Sequence, residues 1–499
     1  MSAGTARTLT PAARGRLAVR QALAIGAGKA AGALSRTTGR GGGTALPGTV
    51  ALRLDRGLLA RLAGELSAGT VIVSGTNGKT TTCRMLAAAF SLNGQHTVAN
   101  REGANLLSGV LAALMSATGP GGRLQSPGST LGLFELDEAA LPAAAAALSP
   151  RLVVLTNLMR DQLDRYFELD FLRLLWRRGL HGGIRPPALV VNADDAQLVA
   201  LAEDLGLRTV TFGLEDLRHD RGTLDDAADA RRCPRCQELL TYSAVFYAHL
   251  GHFRCTGCGW ARPLPDVAAS EVRLGRDHST VHVVCPGADP FVLHVPLGGL
   301  HNVENALAAV AAARALGLAE ETIGHAVAAV RGAFGRAEST SIDGHDVLLV
   351  LVKNPSGFNV VTRWLAASRR AEHLLLGLND GEPDGRDVSW IWDADVEGLA
   401  PSARWVACTG RRAADLALRV EYAGLAVALV DPDPLTALRS VLGRLPARAP
   451  LSIVVTYTVM WQLRHALVRA GRLAPFWADK PEPVRAPNAP SATEHTAGA

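Results

Sequence analysis

Between Lys79 and Lys353 this chain of 499 residues contains no lysine, and Lys29 and Lys480 are its only others. Arginine supplies nearly all of the 51 basic residues, so each lysine position carries information. Other scarcities exclude whole classes of protein. No stretch holds the ~18 uninterrupted strongly apolar residues that a bilayer-spanning helix needs. The positive mean hydropathy of +0.14 comes largely from alanine. Long blocks of like charge are absent. With 46 acidic residues against 51 basic ones, the net charge of +5 is too balanced to argue for a nucleic-acid partner. Seven cysteines are too few for a disulfide scaffold in a chain this long. Four of them form two CxxC pairs while Cys83, Cys285 and Cys408 are scattered, which suits a reducing compartment and a metal site.

What is present is ample apolar material, 48% of residues, with 19% charged. At ~150 residues per domain the length allows roughly three domains. Residues 14–35 superficially resemble a signal peptide, but their apolar part is mostly alanine and glycine and is interrupted by Lys29. An amphipathic N-terminal helix followed by a Gly/Thr-rich loop is expected over 1–49. From residue 50 short apolar runs (Val71–Val73, Leu131–Leu136, Leu152–Leu155, Leu189–Val191) alternate with Ala/Leu-rich helical stretches. This is the pattern of a parallel sheet with crossover helices. Ligands in such sheets sit at the carboxyl ends of strands, here occupied by Ser74–Thr81, Asp137–Glu138, Thr156–Asp161 and Asn192–Asp195. A cysteine-rich insert spans 231–260, then a β-rich stretch (Glu271–Val295) and a helical one (Asn302–Leu316) follow. A second, smaller α/β pattern occupies 336–476. The Pro/Ala/Ser/Thr-rich tail, 477–499, reads as disordered.

The segment Val71-Ile-Val-Ser-Gly-Thr-Asn-Gly-Lys-Thr-Thr81 places a buried-type strand before a Gly-rich turn and a helix. Gly75 and Gly78 let backbone N–H groups approach phosphate oxygens, and the helix N-terminus favours negative charge. Gly75, Thr76, Asn77, Gly78, Lys79, Thr80 and Thr81 are therefore assigned to ATP. Lys79 reaches the β/γ-phosphates and the Thr80 hydroxyl serves Mg²⁺. The loop is shorter than the strict GxxxxGK[ST] pattern, whose first glycine would fall at Val73.

The motifs GTNGKTT (75–81), FELDE (134–138), TNLMRDQLDRY (156–166), NADD (192–195) and LHNVENALAA (300–309) resemble the Mur ligase family in order and spacing. Those enzymes activate a carboxylate as an acyl phosphate that an amine attacks. The resemblance covers 50–335 as a central ATP-binding domain. It implies Glu135 as a Mg²⁺ carboxylate, His301, Asn302 and Asn305 beside the nucleotide base, and Arg336 at the phosphates. A carboxylate at a strand end beside a phosphate loop suits a hard cation. One departure stands out. Amino-acid-adding members carry a carbamylated lysine in this domain, and between Lys79 and Lys353 this chain has no lysine, so that device is absent.

Cys233-x2-Cys236-x18-Cys255-x2-Cys258 matches a zinc-ribbon spacing. Four thiolates fill a tetrahedral Zn²⁺ and leave no open position, so the site is read as structural. Tyr242, Phe246 and Tyr247 are read as the ribbon's own small core.

In the C-terminal part, LVKNPSGFN (351–359) and LGLNDGEPDGRDVSWIWDADVE (376–397) are dense in polar residues. Asp380, Glu382, Asp384, Asp387, Asp393 and Asp395 crowd one strand end, unless they form a solvated loop anchored by Trp390 and Trp392. Both segments, and the four-cysteine insert, resemble the MurT family of ligase subunits. That resemblance implies ATP-dependent amidation of the α-carboxylate of D-glutamate in the stem peptide of lipid II, at the cytoplasmic face of the membrane. It also implies a GatD-type glutamine amidotransferase partner whose Cys and His are completed by an Asp from this loop. A Pro-Asp-Gly turn able to present its carboxylate outward points to Asp384. Asp387, beside the aromatic run, is the alternative and is expected to be held within its own domain. Rival readings are a stand-alone ligase adding an amino acid, as in folylpolyglutamate synthesis, and a zinc-ribbon binding protein that uses ATP as a switch. The missing lysine and the acidic loop weigh against the former.

Overall fold

The computed structural model describes residues 11–37, 45–100, 103–125, 129–160, 169–181, 185–225, 230–275, 277–330 and 336–473. The tail expected to be disordered and Asp161–Tyr166 of the third motif lie outside these. Two sheets organise the described chain. The larger contains β1 (Thr70–Ser74), β2 (His96–Ala99), β3 (Thr130–Glu135), β4 (Leu152–Leu155), β5 (Ala188–Asn192) and β6 (Thr209–Leu214). β7 (Leu240–Tyr247) and β8 (Leu250–Cys255) form a separate antiparallel ribbon. The chain then returns to the large sheet with β9 (Val267–Leu274), β10 (Ser279–Val284) and β11 (Phe291–Val295), giving the order β11-β10-β9-β6-β5-β4-β1-β3-β2.

β1 runs parallel between β3 and β4, and its residues Val71, Ile72 and Val73 are wholly buried. A strand covered on both faces reads as a continuous β-branched run rather than as an alternation. Val71 and Val73 pack with Met85, Leu86 and Phe90 on one face, and Ile72 packs with Leu58, Leu62 and Trp176 on the other. Residue by residue, this strand joins two helical layers.

The second sheet contains β12 (Arg336–Ile342), β13 (His345–Leu351), β14 (His373–Gly377), β15 (Trp405–Thr409), β16 (Val427–Asp431) and β17 (Leu451–Val455), in the order β12-β13-β17-β14-β15-β16. All pairs are parallel except the edge hairpin β12–β13, which follows from the Asp343-Gly344 turn with both residues at positive φ.

At the N-terminus a helix runs Pro11–Thr37 and buries Ala24, Ile25, Gly28, Gly32 and Ser35 against the body. Lys29 Nζ donates to the Thr118 carbonyl at 3.0 Å. The expected loop up to residue 49 is interrupted by a second helix, Leu46–Leu54, whose Pro47 sits in the first turn, where a missing N–H costs nothing.

Candidate active site

The phosphate loop follows β1 and opens the helix Lys79–Leu92. Gly75 (φ +124) and Gly78 (φ +88) adopt left-handed backbone that other residues rarely take. At Gly78 a Cβ would come within 1.9 Å of Asn305 Oδ1, so only glycine lets the loop sit this close to the Leu300–Ala315 helix. The loop is clamped from below. Thr76 N–H donates to the Asn157 carbonyl at 2.9 Å and Asn77 N–H to Asn157 Oδ1 at 2.9 Å. Thr76 Oγ1 donates to the Met159 carbonyl at 3.0 Å. Asp195 steadies that clamp in turn. It accepts from Leu158 N–H at 2.7 Å while capping the helix Ala196–Leu205.

Charge is gathered at the loop. Lys79 Nζ donates to the carbonyls of Gly75 and Thr76 and lies 3.2 Å from Glu138 Oε2, with both side chains buried. Thr80 Oγ1 donates to Glu135 Oε2 at 2.9 Å, so a hydroxyl and a carboxylate oxygen stand together where a hard cation needs two oxygen ligands. Glu138 is the residue that motif reading passed over, although it lies in the same FELDE segment.

Asn77, Gly78, His301, Asn302 and Asn305 line one wall of a cleft whose opposite wall is Val350–Lys353, Ser356, Gly357, Val360 and Trp364 of the C-terminal sheet domain. Lys353 thus brings an ammonium-bearing side chain to the cleft from the C-terminal domain. Asn354 Nδ2 donates to Asn77 Oδ1 at 3.3 Å across the cleft. The two halves are also latched by Arg363, which donates to Asp225 at 2.7 and 3.0 Å. Burial alone would raise the Asp225 carboxyl, but the hydrogen bonds from Arg363 and Arg221 outweigh it and hold the group below the usual carboxylate range. Arg336 opens β12, and its side chain lies outside the described residues.

The four cysteine Sγ atoms all lie within 4.8 Å of one another, with Cys233–Cys258 at 3.7 Å and Cys236–Cys255 at 3.4 Å. Thiolates ~2.3 Å from one tetrahedral ion are spaced close to this, so the donor set fits a bound metal ion. The backbone N–H of Cys258 is foremost in pulling the Cys255 thiol down to about 7. The ribbon's core is Leu240, Phe253 and Trp260 with half-buried Tyr242. Phe246 and Tyr247 do not belong to it. They pack into the large core, because the far end of β7 turns toward the Leu300–Ala315 helix.

The acidic loop after β14 also departs from expectation. Asp384 is 2% exposed. Its two carboxylate oxygens accept from Thr458 N–H at 2.7 Å and Thr458 Oγ1 at 2.6 Å, so the Pro-Asp-Gly turn points inward. The reason is the N-terminus of the helix Tyr457–Arg469, whose first turn needs an acceptor. Asp387 is exposed, and one of its oxygens accepts from Ser389 N–H at 2.8 Å. Asp380 pairs with Arg411 and Arg412, and Asp395 with Arg363. Trp390 packs edge-on to Phe358, while Trp392 stays 47% exposed against Tyr422.

The Mur ligase middle-domain family matches residues 73–231 and the MurT ligase C-terminal family matches 351–460. The MurT subunit of the glutamine-hydrolyzing lipid II isoglutaminyl synthase of Staphylococcus aureus (strain COL) is 31% identical over 418 residues, 83% of this chain and 90% of that protein. The corresponding subunit of Streptococcus pneumoniae (strain R6) is 30% identical over 438 residues, 86% of this chain and 93% of that protein. Among solved structures, a pseudomurein peptide ligase type C from Methanothermus fervidus superposes with a TM-score of 0.63 at 20% identity, covering 82% of this chain and 80% of that one. MurF from Acinetobacter baumannii superposes with a TM-score of 0.59 at 17% identity, covering 84% of this chain and 80% of that one.

Proposed function

The chain belongs to the MurT family of Mur ligase-related subunits, and from that premise we propose that it amidates the α-carboxylate of D-glutamate in the lipid II stem peptide to D-isoglutamine. The single observation that carries this reading is the coexistence in one chain of the clamped phosphate loop and the C-terminal family domain facing each other across one cleft.

Bound ATP would supply the phosphoryl group that converts the carboxylate into an acyl phosphate open to ammonia. Lys79 and the loop N–H groups hold the phosphates, and Thr80 Oγ1 with Glu135 holds Mg²⁺. His301, Asn302 and Asn305 line the remainder of the nucleotide's path. Lys353 offsets phosphoryl charge from the C-terminal side, since no lysine stands between Lys79 and Lys353 to do so. Cys233, Cys236, Cys255 and Cys258 hold a structural Zn²⁺.

Ammonia comes from a GatD-type glutamine amidotransferase, with an aspartate of the acidic loop orienting the partner's histidine and stabilising its cationic form. Burial of Asp384 supports Asp387 in this role. An aspartate serving another chain needs an exposed oxygen, and Asp384 has both committed to Thr458.

No helix among the described residues is long and apolar enough to cross a membrane. Work at the cytoplasmic membrane face is supported by the Pro11–Thr37 helix, which carries five cationic side chains and no acidic one. The test is amidation of lipid II by this chain with ATP, Mg²⁺ and excess ammonium, read by mass spectrometry. The expected product is about 1 Da lighter, the change from carboxylic acid to primary amide, with ADP formed. Unchanged lipid II, both alone and with the partner and glutamine, would overturn the reading.

A further inference from the structure

Tyr247 ends β7 of the cysteine ribbon, yet it lines the interdomain cleft together with Asn77, Gly78 and Asn305. It also borders a second lobe of the cleft, about 430 Å³, with Arg221, Arg363 and Trp364. Its hydroxyl donates to Glu304 Oε2, and the same oxygen accepts from Asn192 Nδ2 at 3.4 Å. Glu304 is 3% exposed and sits on the Leu300–Ala315 helix between Asn302 and Asn305, whose side chains bond each other at 3.3 Å. Besides packing into the large core, Tyr247 thereby ties the ribbon to the turn that carries two cleft-lining asparagines.

We propose that Tyr247 is a positioning residue for nucleotide binding: through Glu304 it sets the placement of Asn302 and Asn305, so the ribbon forms part of the ATP cleft. Burial first, and then the charge of nearby Asp194, pushes Glu304 well above the ordinary carboxylate range. A neutral acceptor suffices for that role. Glutamine at 304 keeps it and leucine does not.

The proposal rests on the ATP reading above, and the experiment separates the two. ATP affinity is measured by calorimetry on the full chain, beside KM and kcat for ammonium-driven amidation, metal content and thermal midpoint. Tyr247→Phe is expected to raise the Kd and KM for ATP about tenfold, the effect of one lost hydrogen bond, with kcat within about twofold and metal content unchanged. Glu304→Leu should reproduce that loss and Glu304→Gln should recover most of it. The double variant Tyr247→Phe/Glu304→Leu should lose no more than either single change, because both break the same contact. Wild-type ATP binding combined with unaltered affinity in Tyr247→Phe overturns the proposal and spares the function. So does a fall in thermal midpoint and kcat with KM unmoved. Absence of ATP binding in the wild-type chain overturns both.

Discussion

The phosphate loop and the acidic loop of the C-terminal domain occupy equivalent places, each at the carboxyl end of an interior parallel strand, β1 and β14. Both are dense in glycine and polar residues. Their side chains are used in opposite ways. In the first, Lys79, Thr80, Thr76 and Asn77 all bond to residues distant in sequence, and the loop is set before any ligand arrives. In the second, the aspartates are divided. Asp380, Asp384 and Asp395 are spent on internal contacts, and Asp387 bonds within its own turn and stays open to solvent. A crowd of carboxylates alone therefore does not say which of them is available to another molecule. Which member serves another molecule depends on which lone pairs the chain leaves unused.

The largest effect should come from the first loop. Lys79→Ala is expected to lower ATP-dependent amidation by about 10³-fold or more, as for loss of a preorganised charge at a transferring group. It should also cost about 3 kcal/mol in denaturant unfolding, because Glu138 stays buried without its ammonium. Adding Glu138→Gln should restore stability and leave activity lost. Retained turnover in Lys79→Ala would break the comparison at its root.

The second loop gives a split phenotype. Asp387→Asn should reduce glutamine-driven amidation by about 10³-fold while ammonium-driven amidation persists. Asp384→Asn should lower stability by about 1–3 kcal/mol, read as a fall in thermal midpoint, and weaken both routes together. Exchange of the two phenotypes would return the catalytic role to Asp384.

Smaller effects sharpen the picture. Stripping the metal ion with a chelator should loosen the β7–β8 ribbon in amide hydrogen exchange before β1 and β4 are affected. The Arg363–Asp225 latch should be insensitive to pH between about 5 and 8. The Asp225 carboxyl is held low, so its stabilising effect is complete above the ordinary aspartate value and is lost only as pH falls through the depressed one. Arg363→Met should loosen the latch by about 1–2 kcal/mol at neutral pH, and acid titration of domain closure by small-angle scattering would check both statements.

What can be read from sequence is local in the chain. The runs at Val71, Leu131, Leu152 and Leu189 are strands, and the glycines and lysine of the loop and the CxxC spacings announce their geometry within a few residues. What cannot be read depends on distant partners. Glu138 meets Lys79 from 59 residues away and Tyr247 meets Glu304 from 57, and no periodicity encodes such pairs. β12 gives no strand signal because an antiparallel edge strand with polar Glu338, Ser339 and Thr340 lacks the apolar run of an interior one. The inward turn of Asp384 is equally hidden, since a Pro-Asp-Gly turn gives no sign that a helix N-terminus lies opposite.

The ribbon lies between β6 and β9, which are hydrogen-bonded neighbours in the finished sheet. During synthesis β6 emerges well before its partner, and the intervening chain must close on itself before the two can meet. An ion gathered by the four cysteines would shorten that closure, since the entropy lost in bringing loop ends together grows with the length of free chain. Metal supply would thus act on the order of assembly: starved of it, the nascent protein would keep an open strand edge at β6 for longer, the kind of edge on which aggregation begins.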